Sequence, residues 1–126
     1  MVRVGGREGL DYPGFCRVIW RSHVGEMSDL AGPDRRHLMA LVLATESALR
    51  RLYAPEKINL ASLGNLVPHL HWHVIPRFRD DPNFPAPIWS AARPDRVPAA
   101  PRPQVGNPAL RQAIALALAE ASGDPA

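Results

Sequence analysis

The chain has 126 residues, a formal net charge of +3 and a single cysteine. This length suits one compact domain around a single hydrophobic core. One cysteine excludes an intrachain disulfide and the cysteine-rich zinc motifs, and the sequence contains no apolar run approaching the roughly 20 residues of a membrane span. Its start also lacks the apolar segment of a signal peptide. We therefore expect a soluble, cytoplasmic protein without a membrane partner.

Two short strands are predicted near the N-terminus. Residues 1–5 alternate in polarity, and residues 15–20 are rich in strand-forming side chains and follow the turn signal at residues 12–14. Several glycines lie between the two runs, so we expect a hairpin. Within the second strand, Ile19 suits a core position.

A long amphipathic helix is predicted next. Pro33 and Asp34 favour a helix start, because proline suits the first turn and an acidic side chain there complements the helix dipole. Residues 53–55, Tyr-Ala-Pro, end it. Apolar side chains recur between these limits at helical spacing, and they form one stripe that predicts packing on a sheet: Leu38, Met39, Leu41, Val42, Leu49 and Leu52.

The most informative stretch contains three histidines, His69, His71 and His73, separated by Leu70 and Trp72. Strict alternation predicts a strand that carries all three imidazoles on one face and the apolar side chains on the other. From the residues alone, three interpretations remain open. The face is a solvated polar surface, or it holds a metal ion with further ligands from elsewhere, or one histidine is a nucleophile assisted by its neighbours.

The sequence His-Leu-His-Trp-His-Val-Ile at residues 69–75 resembles the signature of the histidine triad family, in which three histidines alternate with apolar residues. Gly64-Asn65 and Pro76-Arg77 stand where that family often carries Gly-Gln and Pro-Arg. The resemblance covers residues 11–90. It implies a nucleotide hydrolase or nucleotidyl transferase, such as a diadenosine polyphosphate hydrolase or a nucleoside phosphoramidase.

The resemblance also implies roles for the histidines. His71, the middle one, becomes nucleotidylated at the α-phosphate of the substrate, and water then releases the nucleoside monophosphate. His69 orients His71, and His73 binds the phosphate or protonates the leaving group. The small-molecule nucleotide is the expected partner. No metal ion, other cofactor or nucleic acid is expected.

Four further residues are expected to contact the substrate by resemblance: Asn59, Gly64, Asn65 and Glu8. Asn59 matches a family asparagine in the strand that precedes the histidines. A three-residue loop at 64–66 would pair residue 63 with residue 67 and place Asn59 opposite His71. Backbone N–H groups and the Asn65 side chain would then hold phosphate oxygens.

The chain departs from the family pattern at three places. Asn65 replaces a common glutamine, and Leu66 replaces a serine or threonine near the phosphate. The position of the family's ribose-binding acid or asparagine falls on Arg7, with Glu8 next to it. These departures support an alternative function, namely a nucleotide-binding or scaffolding protein with little turnover.

Residues 79–108 carry many of the fourteen prolines and show no periodicity, which predicts an irregular arm pinned by Phe84, Ile88 and Trp89. Asn107 and Pro108 precede a last, alanine-rich helix. We divide the chain into a domain like that of the histidine triad (HIT) family at residues 1–90 and a second segment at 91–126. The expected fold class is α+β, an antiparallel sheet with one long helix packed on it and a C-terminal helix. The family resemblance implies a homodimer.

Overall fold

A computed structural model describes residues 2–4, 11–95, 100, 102 and 105–123. The described strands are β1 (Val2–Val4), β2 (Cys16–Ile19), β3 (Lys57–Ala61) and β4 (His71–Arg77). The helices are α1 (Gly32–Tyr53) and α2 (Asn107–Gly123), and a short 3-10 turn spans Met27–Asp29. This architecture confirms the predicted α+β class. The predicted turn after the first strand, including Glu8, lies outside the described residues.

The four strands form one antiparallel sheet in the order β1-β2-β4-β3. The predicted hairpin strands β1 and β2 pair directly, and Val2 lies opposite Val18. Strand β4 lies between β2 and β3, which places Ile19 opposite His71 and Arg17 opposite His73. The histidine strand therefore occupies the interior of the sheet, where neighbours on both sides fix its side chains.

The pairing of β3 with β4 differs from the predicted register. Asn59 pairs with Ile75, whereas the three-residue loop placed it opposite His71. Strand β3 ends at Ala61 and β4 begins at His71, so residues 62–70 form a long connection. The shift preserves the two-residue alternation, and Asn59 stays on the histidine face of the sheet. Hydrophobic alternation fixes which face a side chain occupies but cannot distinguish registers that differ by an even number of residues.

Helix α1 begins and ends where the sequence predicts. A proline lies in its first turn, and Ala54 adopts a left-handed conformation (φ 46°) just after its last residue. The side chains of Leu38, Val42 and Leu49 are fully buried. They share one core cluster with side chains on the helix-facing side of the sheet: Cys16, Val18 and Val74. The apolar stripe thus packs on the sheet, as expected.

Helix α2 packs against α1 and extends the same core. Leu110, Ile114 and Ala117 are buried in the cluster that contains the α1 stripe. At the surface, Arg51 of α1 donates two hydrogen bonds to the Glu120 carboxylate, at 2.8 and 3.2 Å. Both side chains are exposed, so burial of the apolar face contributes most of the docking energy. No helix among the described residues is long and apolar enough to cross a membrane.

The arm that follows β4 is held by a buried ion pair between Arg77 and Asp81. Arg77 donates to both Asp81 carboxylate oxygens, at 2.8 and 3.1 Å, and both side chains are almost fully buried. The backbone N–H groups of Phe78, Asn83 and Phe84 also donate to the Asp81 carboxylate. Polar contacts therefore anchor the arm beside its apolar side chains.

Candidate active site

His71 lies at the start of β4, and its imidazole is held in one tautomer. Its Nδ1 atom lies 2.6 Å from the carbonyl oxygen of His69. A carbonyl oxygen only accepts, so Nδ1 donates its hydrogen, and in the neutral ring Nε2 then carries the lone pair. Ser62 donates to the carbonyl oxygen of His71 at 2.8 Å, which ties the start of β4 to the end of β3. His71 thus has the form expected of a nucleophile.

The prediction that His69 shares a strand face with His71 and His73 is wrong, because His69 precedes β4 and its ring contacts other partners. Its Nε2 atom lies 2.5 Å from the carbonyl oxygen of Trp20 and must donate to it. Its Nδ1 atom lies 3.0 Å from Nδ1 of His23, and the two rings stack with centroids 5.2 Å apart. His69 contacts the histidine strand through its backbone: its carbonyl oxygen accepts the hydrogen bond that Nδ1 of His71 donates.

His73 is buried beside His71 in the middle of a cluster of rings. The two imidazoles meet edge to face with centroids 5.0 Å apart. Phe15 and Trp89 contact the His73 ring in the same way, at 5.7 and 5.4 Å. Only 7% of His73 is exposed. The structure therefore brings His71 and His73 together, with His73 largely shielded from water and His71 partly buried.

A cavity of about 440 Å³ opens next to these two histidines. Its other walls are the loop at residues 63–67, Arg17 and Trp89. Gly64 and Asn65, which were predicted to contact the substrate, belong to this loop. Gly64 has a φ of 86°, a left-handed conformation that favours glycine and lets the loop turn toward the histidines. The volume lies within the range of small-molecule sites.

Asn59 lies farther along the histidine face. Its side-chain oxygen accepts a hydrogen bond from Arg77 at 2.9 Å, and Asn59 borders a neighbouring cavity that Trp89 also lines. This position follows from the corrected register. Glu8, the remaining predicted contact, lies outside the described residues.

Metal binding and thiol chemistry find little support in the described side chains of this site. The described residues contain no group of three or more His, Cys, Asp and Glu side chains arranged to hold a metal ion. Burial raises the pKa of the Cys16 thiol to about 12, so this cysteine stays protonated near neutral pH and is a poor nucleophile. The imidazole of His71, with Nδ1 donating to a carbonyl oxygen, has a lone pair available on Nε2.

Sequence reasoning did not assign Arg17 and Trp89 to the site. Arg17 alternates with the buried Cys16 and Val18, and this pattern alone would have placed it on the histidine face. Trp89 offered no comparable signal, because it lies in an irregular segment whose path depends on the contacts of Arg77.

The sequence-family model of the HIT domain matches residues 11–80, more than half of the chain. The chain belongs to the HIT domain family. This confirms the resemblance read from the three histidines. Two curated relatives, each named AP-4-A phosphorylase and both from strains of Mycobacterium tuberculosis, are 31% identical to this HIT protein over 78 residues. The match covers 57% of this chain and 40% of theirs, so the chain spans less than half the length of these relatives.

Solved structures of HIT proteins share the fold. A histidine triad protein from Bradyrhizobium japonicum is 30% identical, with a TM-score of 0.61, and the match covers 87% of this chain and 75% of that one. A histidine triad protein from Sinorhizobium meliloti is 26% identical, with a TM-score of 0.62, and the match covers 94% and 80%. These likenesses agree with the antiparallel sheet and two helices described above.

Proposed function

We propose that this HIT protein is a nucleotide hydrolase or nucleotidyl transferase that cleaves a phosphoanhydride or phosphoramidate bond at the α-phosphate. The hydrogen bond from Nδ1 of His71 to the His69 carbonyl carries the proposal, because it leaves Nε2 as the nucleophilic atom. Family membership and the curated relatives' name support a nucleotide-processing enzyme.

The proposed reaction has two displacements at the α-phosphorus. Nε2 of His71 forms a bond to phosphorus, and the bond from phosphorus to the leaving oxygen or nitrogen breaks with its electron pair. His73, in contact with His71, binds the phosphate or gives the leaving atom a proton. An acceptor then attacks phosphorus, and the bond from phosphorus to Nε2 breaks with its electron pair returning to Nε2; when the acceptor is water, it loses a proton to solvent. Water as acceptor makes the protein a hydrolase, and inorganic phosphate makes it a phosphorylase.

The loop at residues 63–67 is proposed to bind the phosphate. Gly64 and Asn65 line the cavity that His71 also lines, and the backbone N–H groups of this loop and the Asn65 amide are the proposed donors. Donors held in place before the reaction favour the transition state, since they need no rearrangement as charge shifts onto the oxygens. Asn59 is proposed to act from the neighbouring part of the same face.

One observation favours a second candidate, a nucleotide-binding protein with little turnover. Leu66 is 96% exposed at the cavity wall, and it stands where the family resemblance implies a hydroxyl donor near the phosphate. If the hydrogen bond from that donor to the phosphate forms mainly in the transition state, its loss would lower kcat more than it would weaken nucleotide binding. The homodimer and the cytoplasmic location stay predictions of the sequence.

Intact-protein mass spectrometry tests the proposed function. Stoichiometric protein is mixed with diadenosine tetraphosphate or adenosine phosphoramidate, and the adenylyl adduct and released AMP are measured. We expect an adduct on the unaltered protein and none on His71→Ala. His37→Ala, which removes an exposed histidine of α1, is the matched control and should form the adduct. Nucleotide binding without adduct or AMP would support the second candidate instead.

A further inference from the structure

We propose that Trp89 and Arg17 form a leaving-group subsite, which selects substrates whose leaving group carries both a planar aromatic ring and negatively charged phosphates. The inference rests on the proposed function, and it names the class of leaving group that the same site favours. The family signature includes neither residue. The composition and the exposure of the cavity wall beside His71 and His73 support this subsite.

Trp89 lines the cavity beside His73. It is 52% exposed, although it packs edge to face against the buried ring of His73 at 5.4 Å. An exposed tryptophan face is a favourable stacking surface for a nucleobase. Because His73 is the proposed partner of the leaving group, a ring stacked on Trp89 would belong to that group.

The loop across the cavity presents a second apolar surface. Among the described residues, six large apolar side chains are strongly exposed, and four of them line this one cavity. The four are Leu63, Leu66, Val67 and Trp89. Apolar side chains concentrated in this way around a concave site indicate a ligand that covers them. A flat aromatic ring meets that requirement, whereas ammonia or inorganic phosphate would leave the wall exposed.

Arg17 adds a positive charge to the same cavity. It lies opposite His73 in the β2–β4 pairing, and its guanidinium carbon lies 4.8 Å from the centre of the Phe15 ring. The described residues that line the cavity include no acidic side chain. A planar guanidinium group binds phosphate oxygens well. It would stabilise a departing phosphate chain, whose negative charge grows, but not a departing amine.

Three substrates that share an adenylyl group separate these contributions. Diadenosine tetraphosphate has a leaving group with phosphates and a ring, ATP has one with phosphates only, and adenosine phosphoramidate has one with neither. The values of kcat/KM are measured for the unaltered protein, Trp89→Ala, Trp89→Phe and Arg17→Leu. Leu43→Ala and Arg50→Leu, at exposed positions of α1, serve as controls, and circular dichroism checks that each variant folds.

We expect Trp89→Ala to lower kcat/KM about 10-fold for diadenosine tetraphosphate, the loss typical of one base stack. The other two substrates should change less than about 2-fold, and Trp89→Phe should restore most of the loss. Arg17→Leu should lower kcat/KM about 10-fold for both phosphate-leaving substrates and leave the phosphoramidate unchanged. Equal losses for all three substrates would mean that these residues only support the histidines, and the subsite would be wrong.

Failure of the proposed function gives a different result. If the unaltered protein cleaves none of the three compounds, calorimetric binding of the same compounds decides the subsite. Tighter binding of diadenosine tetraphosphate than of ATP, lost in Trp89→Ala, would retain the subsite on a binding protein. Equal affinities, or no binding at all, would overturn it.

Discussion

Replacing Asp81 by asparagine should cost much of the protein's stability, because it removes one partner of a buried ion pair. The Asp81 side chain is 1% exposed and that of Arg77 is 2% exposed. In Asp81→Asn the Arg77 guanidinium stays buried without a counter-charge. An amide also accepts fewer of the hydrogen bonds that the carboxylate receives from Arg77 and three backbone N–H groups.

The expected loss is about 3–5 kcal/mol in the free energy of unfolding, the range for breaking one side of a buried pair. At about 3 °C per kcal/mol for a chain of this size, Tm should fall by about 10–15 °C. Urea denaturation followed by circular dichroism measures the first quantity and a thermal melt the second. Asp95→Asn, at an exposed position of the arm, should change stability by less than about 0.5 kcal/mol.

The pH dependence provides an independent check. Burial raises the pKa of Asp81, but hydrogen bonds from Arg77 and from the backbone of Asn83, Phe78 and Phe84 outweigh burial and hold the pKa below its usual range. This stabilisation is fully present above the unfolded-state pKa of about 4 and is lost as the pH falls through the folded-state pKa. As the pH falls into the acid range, the free energy of unfolding of the unaltered protein should therefore approach that of Asp81→Asn. A loss below about 1 kcal/mol at pH 7, or an equal loss in Asp95→Asn, would refute the reasoning.

Three further predictions concern single residues. His69→Ala keeps the backbone carbonyl that accepts from His71, so kcat should fall by about 10–100-fold, much less than in His71→Ala; equal losses would contradict the backbone role. Gly64→Ala forces a side chain into the left-handed region (φ 86°) and should cost about 1–2 kcal/mol in urea denaturation, and an unchanged midpoint would contradict this strain. The buried Cys16 thiol, with a pKa of about 12, should resist iodoacetamide at pH 8 until urea unfolds the chain; rapid labelling of the folded protein would show that the thiol is accessible.

Periodicity predicted the elements that pack locally. The 3.6-residue pattern gave the apolar stripe of α1, and the turn and cap residues gave its two ends. The alternation at residues 69–74 gave the two faces of β4, but its extension to His69 was wrong, because the strand begins at His71. The register of β3 against β4 was wrong because Asn59 has the same parity opposite Ile75 as opposite His71. Local pattern thus fixed the faces of the sheet, whereas the long connection at residues 62–70 decided the register.

The rest of the site depends on contacts between residues distant in the sequence. The hydrogen bond between His69 and Trp20 spans 49 positions, and the ring contact between His73 and Trp89 comes from the irregular arm. No periodic signal marks such contacts. The three histidines identified the family and predicted the nucleophile, but the other side chains that line the candidate cavity became evident only in the folded chain.

The position of the adenylyl group on the protein tests the central claim most directly. The unaltered protein is trapped with adenylyl substrate, the modified peptide is located by mass spectrometry, and phosphorus-31 NMR distinguishes the two ring nitrogens. Nδ1 of His71 donates its hydrogen to the His69 carbonyl, so the adduct should form on His71 through Nε2. An adduct through Nδ1, or on another histidine, would contradict the proposed nucleophile.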